Sequence, residues 1–107
     1  MEGKTYDLED RTLEFSKRIL RMSKSLPKDD TNNIMKNQCI RSGTSVGANY
    51  REANDALGNK DFILRLRIAR KEAKETTYWL ELIIENNPDL ETKIKDLYQE
   101  SIELTKI

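Results

Sequence analysis

In the middle of this chain, Arg41-Ser42-Gly43-Thr44-Ser45-Val46-Gly47-Ala48-Asn49-Tyr50-Arg51-Glu52-Ala53 puts small and polar residues where a helix normally carries leucine. Two conformations answer to such a run. One is a Ser/Gly loop that divides the chain; the other is a helix kept thin on its inner face so that neighbours come close. No proline stands between Pro27 and Pro88, and neither Gly43 nor Gly47 follows Asn or Asp in a turn pair. Ile34, Gln38, Arg41, Ser42, Ser45, Asn49, Ala53 and Ala56 recur at steps of three and four, the period of one helix face. The run therefore predicts a helix. Each glycine costs about 1 kcal/mol against alanine in a helix interior, and close packing is the compensation this requires.

The flanks extend the helical pattern. Leu8, Phe15, Ile19, Met22 and Leu26 form an apolar stripe that Leu13 and Leu20 widen, with Arg18, Arg21 and Lys24 on the wet side. Pro27 ends this helix at Leu26, since the residue before a proline is pushed from helical angles. Asp30 or Thr31 is positioned to cap the next helix, and Gly58 with Asn59 to end it. The third stripe is the cleanest: Phe62, Leu66, Ala69, Ala73, Thr76, Leu80 and Ile83 alternate steps of four and three. Asn86-Asn87-Pro88 stops it, Asp89 stands ready to cap, and Leu90, Ile94, Leu97, Ser101 and Leu104 repeat the beat. The expected architecture is an all-α, antiparallel up-down-up-down four-helix bundle, with helices at about 8–26, 31–57, 60–86 and 89–106. It forms a single domain over 1–107, with 1–7 as a flexible N-terminal segment.

Folding the second helix back on the third about Gly58-Asn59 sets Ser45 opposite Glu72 and Arg41 opposite Thr76, within reach of Glu75. Arg41 with Glu72 or Glu75 is then a candidate partly buried ion pair that fixes register. Arg41, Ser42, Ser45, Asn49, Ala53, Glu72, Ala73 and Glu75 are the predicted packing residues, with the thin middle of the second helix against Ala69, Ala73 and Thr76.

The composition excludes several chemistries. There is no histidine and one cysteine, so neither an intramolecular disulfide nor a usual metal-ligand set can form, and no cofactor is expected. Cys39 reads as a buried structural thiol, and Ser42, Thr44 and Ser45 as packing residues without an activating base. Gly43-xxx-Gly47 lacks the Lys-Ser/Thr pair of a phosphate-binding loop, because Ala48-Asn49 follows. No small-molecule substrate is expected. The longest apolar runs are too short to span a bilayer and no secretory leader is evident, so a cytoplasmic protein with no membrane partner is expected. Nineteen basic residues balance nineteen acidic ones, so only local clustering argues for a polyanion. Such a cluster exists: Arg65, Arg67, Arg70, Lys71 and Lys74, flanked by Lys60, crowd the third helix. It can track a phosphate backbone, or it can be a solvated face paired with Asp61, Glu72 and Glu75. Tyr78, Trp79 and Tyr98 read as core or subunit-contact aromatics in preference to base-stacking ones, and Tyr50 as packing.

Gln38-x-x-Arg41-Ser42-Gly43-Thr44-Ser45-Val46-Gly47-Ala48-Asn49-Tyr50-Arg51-Glu52-Ala53 is followed by Asp61-Phe62. Then come Ile68-Ala69-x-Lys71-Glu72-Ala73-x-Glu75-Thr76-x-Tyr78-Trp79-Leu80. Together these resemble the four-helix-bundle proteins of the 23S rRNA intervening-sequence family, over about Phe15 to Ile84. The resemblance implies a non-enzymatic bundle that assembles as a homopentamer. Through a related accessory protein of diversity-generating retroelements, it also implies contact with RNA or other nucleic acid, or with a reverse transcriptase-like protein, by basic surfaces. The alternative is a protein–protein scaffold without nucleic-acid affinity.

Overall fold

The computed structural model describes residues 7–107. Four α-helices account for nearly all of them: α1 (Leu8–Ser25), α2 (Asp30–Asn54), α3 (Asn59–Asn86) and α4 (Glu91–Thr105), with a short 3-10 turn at Pro88–Leu90 before α4. The expected four-helix, all-α fold is the fold observed. As residue numbers rise on one helix they fall on its neighbour. Glu9 meets Asn54 while Ser16 meets Gly43, and Asn49 meets Arg65 while Asn32 meets Asn86. Thr77 and Ser101 lie level across the α3–α4 turn. The helices therefore run up-down-up-down.

Their ends follow local chemistry. Residues 1–6 of the expected flexible segment lie outside the described residues, but Asp7 is the N-cap of α1, its carboxylate accepting from the Asp10 amide at 3.1 Å. Asp29, not Asp30 or Thr31, caps α2 by accepting from the Asn32 amide at 2.7 Å. A capping side chain accepts from the second or third amide beyond it, and the third beyond Asp29 is that of Asn32. α2 ends at Asn54, three residues before the expected 57. Gly58 does not close α2; it opens α3 in an extended conformation with no side-chain cap. Asp89 does not cap α4, whose N-terminus has no side-chain cap bond.

α2 is continuous through Gly43 and Gly47, without a kink or loop. Its buried face is rotated from the expected one. Asn32, Met35, Cys39, Ser42, Gly43, Val46, Gly47 and Ala53 are inside, while Arg41 is exposed, Gln38, Ser45, Asn49 and Ala56 are half-buried, and Ile34 is 64% exposed. The rotation places Met35, Cys39 and Val46 in the core in place of Gln38 and Arg41, which favours apolar burial. It also gives the glycines a different neighbour. A Cβ on Gly43 would come within 2.8 Å of Ile19 Cγ1, and one on Gly47 within 3.2–3.4 Å of Thr12, its backbone included. Both glycines let α1 approach. The contact with α3 is made instead by Ser42, which accepts from the buried Thr76 hydroxyl at 2.7 Å, with Ala69 and Ala73 also buried on α3.

Phe15, Ile19, Met22, Leu80, Ile83, Ile94, Leu97 and Leu104 form the centre of the core. On α1 and α3, three residues expected on the inner stripes are exposed: Leu13 and Leu20 face out from α1, and Phe62 is 38% exposed at the start of α3. A strip of α1 wide enough to bury Leu13 and Leu20 would need a further helix beyond α2 and α4. Phe62 lies outward because α4 ends at Thr105, level with the middle of α3, and leaves the first turns of α3 uncovered.

The two ends of the bundle differ. At the closed end the α1–α2 and α3–α4 turns meet in an amide cluster. The Asn32 amide donates to Asn87 Oδ1 at 3.1 Å and to the Pro27 carbonyl at 2.9 Å, and its oxygen accepts from Asn87 at 2.8 Å and Asn86 at 2.9 Å. At the open end Leu57, Phe62, Ile63 and Leu64 are exposed.

Candidate nucleic-acid interface

The register of α2 on α3 decides which way each charge on α3 points. With Ala69, Ala73, Thr76, Leu80 and Ile83 buried, the residues one-third of a turn or more away from that seam must face water. Arg67, Arg70, Lys71 and Lys74 are all exposed. Their steps of three, one and three keep them on one broad outward face. Arg65 is not part of that face. It turns to the α2 side, where it donates to Asn49 Oδ1 at 3.5 Å and lies 3.8 Å from Asp61. Lys60 is exposed one turn beyond Leu64.

Arg41 determines the electrostatics of this face. Its guanidinium reaches across from α2 and pairs with both Glu72, at 3.5 Å, and Glu75, while its Nε donates to Gln38 at 3.1 Å. The predicted alternatives are thus both occupied by one arginine. Its side chain is 49% exposed, so the pair sits at the surface and not within the core. Surface pairs of this kind contribute about 0–1 kcal/mol. The larger effect is on the neighbours: Glu72 and Glu75 are the carboxylates that could have neutralised the α3 cations. Among the described residues, Arg67, Arg70, Lys71 and Lys74 make no ion pair, and Asp61 is taken by Arg65.

The other predicted packing residues have individual roles. The Ser45 hydroxyl donates to the Arg41 carbonyl at 2.8 Å and the Asn49 amide to the Ser45 carbonyl at 2.9 Å, so both serve the α2 backbone. Ser42, Ala53 and Ala73 are buried. Cys39 is fully buried, and loss of hydration pushes its thiol up to about 12. A thiolate there is disfavoured, as expected of a structural cysteine. Among the described residues no group of His, Cys, Asp and Glu is arranged to hold a metal ion. No helix of the described residues is long and apolar enough to cross a membrane.

Two features escape a reading of the sequence. The first is an apolar groove at the open end, where Val46, Tyr50, Ile63, Leu66 and Leu104 line a space edged by Arg67. Burial there, followed by the nearby Glu9 and Asp7 charges, raises the Tyr50 phenol above its ordinary pKa. The second is Tyr78. Trp79 and Tyr98 pack against the core as expected, but Tyr78 is 55% exposed, on the same outward face as Lys74.

A bundle of these four helices, with small residues at mid-height and a basic outer face on the third, can be compared with known proteins. The family model described as 23S rRNA-intervening sequence protein matches residues 4–107. The chain belongs to that family. A solved structure shares the fold at a TM-score of 0.83 and 43% identity, covering 92% of this chain and 91% of its own. It is described as a protein of unknown function from the S23 ribosomal protein family of Bacteroides thetaiotaomicron. No curated protein matches the chain.

Proposed function

We propose that this chain is a non-catalytic bundle that binds RNA, alone or within an RNA–protein partner, through the outward face of α3. The observation that carries this reading is the capture of Glu72 and Glu75 by Arg41. Among the described residues it leaves Arg67, Arg70, Lys71 and Lys74 as a row of cations without an ion-pair partner, on a chain whose total charge is zero. Phosphate contacts supply most of the sequence-independent affinity of nucleic-acid binding. Assembly as a homopentamer, the expectation that came with the family resemblance, would repeat the row five times and strengthen its field.

A protein–protein scaffold is the second reading, favoured by the exposed Phe62, Ile63 and Leu64 on the uncovered part of α3. The two are separated by titrating a structured RNA at low salt with wild type and with Arg67, Arg70 and Lys71 all changed to Glu. RNA binding predicts a log–log salt slope of about −0.7 to −0.9 per contacted phosphate, with affinity lost in the triple variant while its melting curve is kept. Equal RNA affinity in both proteins sinks the RNA reading and leaves the scaffold.

A further inference from the structure

We infer that the nucleic acid held on α3 is a single strand, and that Tyr78 is the residue on which one of its bases stacks. This rests on the reading of α3 as the nucleic-acid face. Arg67, Lys71, Lys74 and Tyr78 follow one another at steps of four, three and four, so they line up along one side of the helix over about 16 Å. All four are exposed. Three cations in line with an aromatic ring form the combination used to hold a strand, in which charges follow the backbone and a π-face receives a base.

Trp79 flanks Tyr78, which is otherwise 55% exposed. Its ring meets Trp79 edge-on, with centroids 5.3 Å apart and planes at 70°. Trp79 packs against the core, and its indole N–H donates to Glu75 at 3.0 Å, the carboxylate that Arg41 holds from α2. The ion pair that removes acid from the basic row thus also anchors the ring beside Tyr78. A large aromatic surface stays in water with its neighbour fixed, which lowers the entropy lost when a base settles on it.

A duplex offers Tyr78 no free base: its bases are already stacked on each other, and the deep, narrow major groove of an A-form helix keeps side chains out. A flexible strand can turn one base out onto Tyr78 while its phosphates follow Lys74, Lys71 and Arg67. Glu81 and Glu85, the next exposed residues on this side of α3, set the direction: phosphates are repelled there, so the strand runs from Tyr78 toward the N-terminus of α3.

Trp79 is the single tryptophan of the chain and reports directly on its neighbour. The experiment titrates a short oligouridine and a blunt RNA duplex into the full-length wild type, Tyr78→Ala and Tyr78→Phe, following Trp79 emission and, separately, filter retention. Oligouridine is expected to bind more tightly than the duplex and to change Trp79 emission. Tyr78→Ala is expected to lose about 5- to 150-fold in oligouridine affinity, the range for one stacked base, with its salt slope and duplex affinity unchanged. Tyr78→Phe is expected to bind as wild type does. Oligouridine affinity that survives Tyr78→Ala, or a wild type that prefers the duplex, overturns the stacking role while leaving RNA binding by α3 intact. So does a Tyr78→Ala protein whose only change is its oligomeric state. A wild type that binds neither probe ends both proposals.

Discussion

Ile83 and Ile63 are the same residue type on the same helix, yet one is fully buried and the other nearly half exposed. Ile83 lies at the closed end, where α2 and α4 flank it and where its carbonyl accepts from the buried Asn87 amide at 2.8 Å. Ile63 lies at the open end, one turn before the exposed Arg67 and beside the stripe residue Phe62, which α4 is too short to cover. An apolar beat along a helix therefore shows which residues can be buried. Whether they are depends on how far the neighbouring helix extends. The closed end holds the bundle together with apolar packing and satisfied amides, and the open end is left with surface.

That contrast can be attacked directly. Ile83→Ala should cost about 2–5 kcal/mol, the range for emptying a packed core site, read as a fall in the denaturant midpoint. A loss under about 1 kcal/mol would show the closed end to be looser than its geometry implies. Asn32→Ala comes next. It leaves the Asn86 and Asn87 side chains short of an acceptor at a buried site, for about 1–3 kcal/mol, and chemical denaturation again measures it. Ile63→Ala should change stability by no more than about 0.5 kcal/mol, because its side chain is already largely in water. If it weakens self-association in sedimentation velocity at equal stability, the open end is a contact surface, and the comparison sharpens into one between a structural end and an interacting end.

Much of this was legible in the residues. Pro27 and Pro88 mark the two stops, and the steps of three and four mark the helices between them. The fold-back about Gly58-Asn59 brought Arg41 within reach of Glu72 and Glu75, which is where the structure places it. The rotation of α2 was not legible. A helix lined with Ser, Gly and Ala offers two neighbouring faces of nearly equal character, and here both are used: the glycines by α1 and Ser42 by α3. The hydrophobicity that would normally choose between them is carried only by Met35, Cys39 and Val46. The amide cluster was invisible for a different reason. Asn32 and Asn87 are far apart in sequence, and asparagines at helix ends usually serve as caps or turn residues. The exposure of Phe62 depends on the length of α4, which no local pattern on α3 records, whereas Tyr78 is exposed because it lies one turn from Lys74 on the outward face.

Arg41 also shapes the field around the whole molecule. By drawing two acids to the α2 flank, it gives a molecule with equal numbers of both signs a lopsided potential, with one side of α3 positive over its first half. Bulk measures such as the isoelectric point, about 6.3, average that asymmetry away. A polyanion does not sample the average; within a Debye length of the surface it meets only the side it approaches. Cation-exchange or heparin retention at pH 7 would follow from this arrangement even though the protein as a whole carries no net charge.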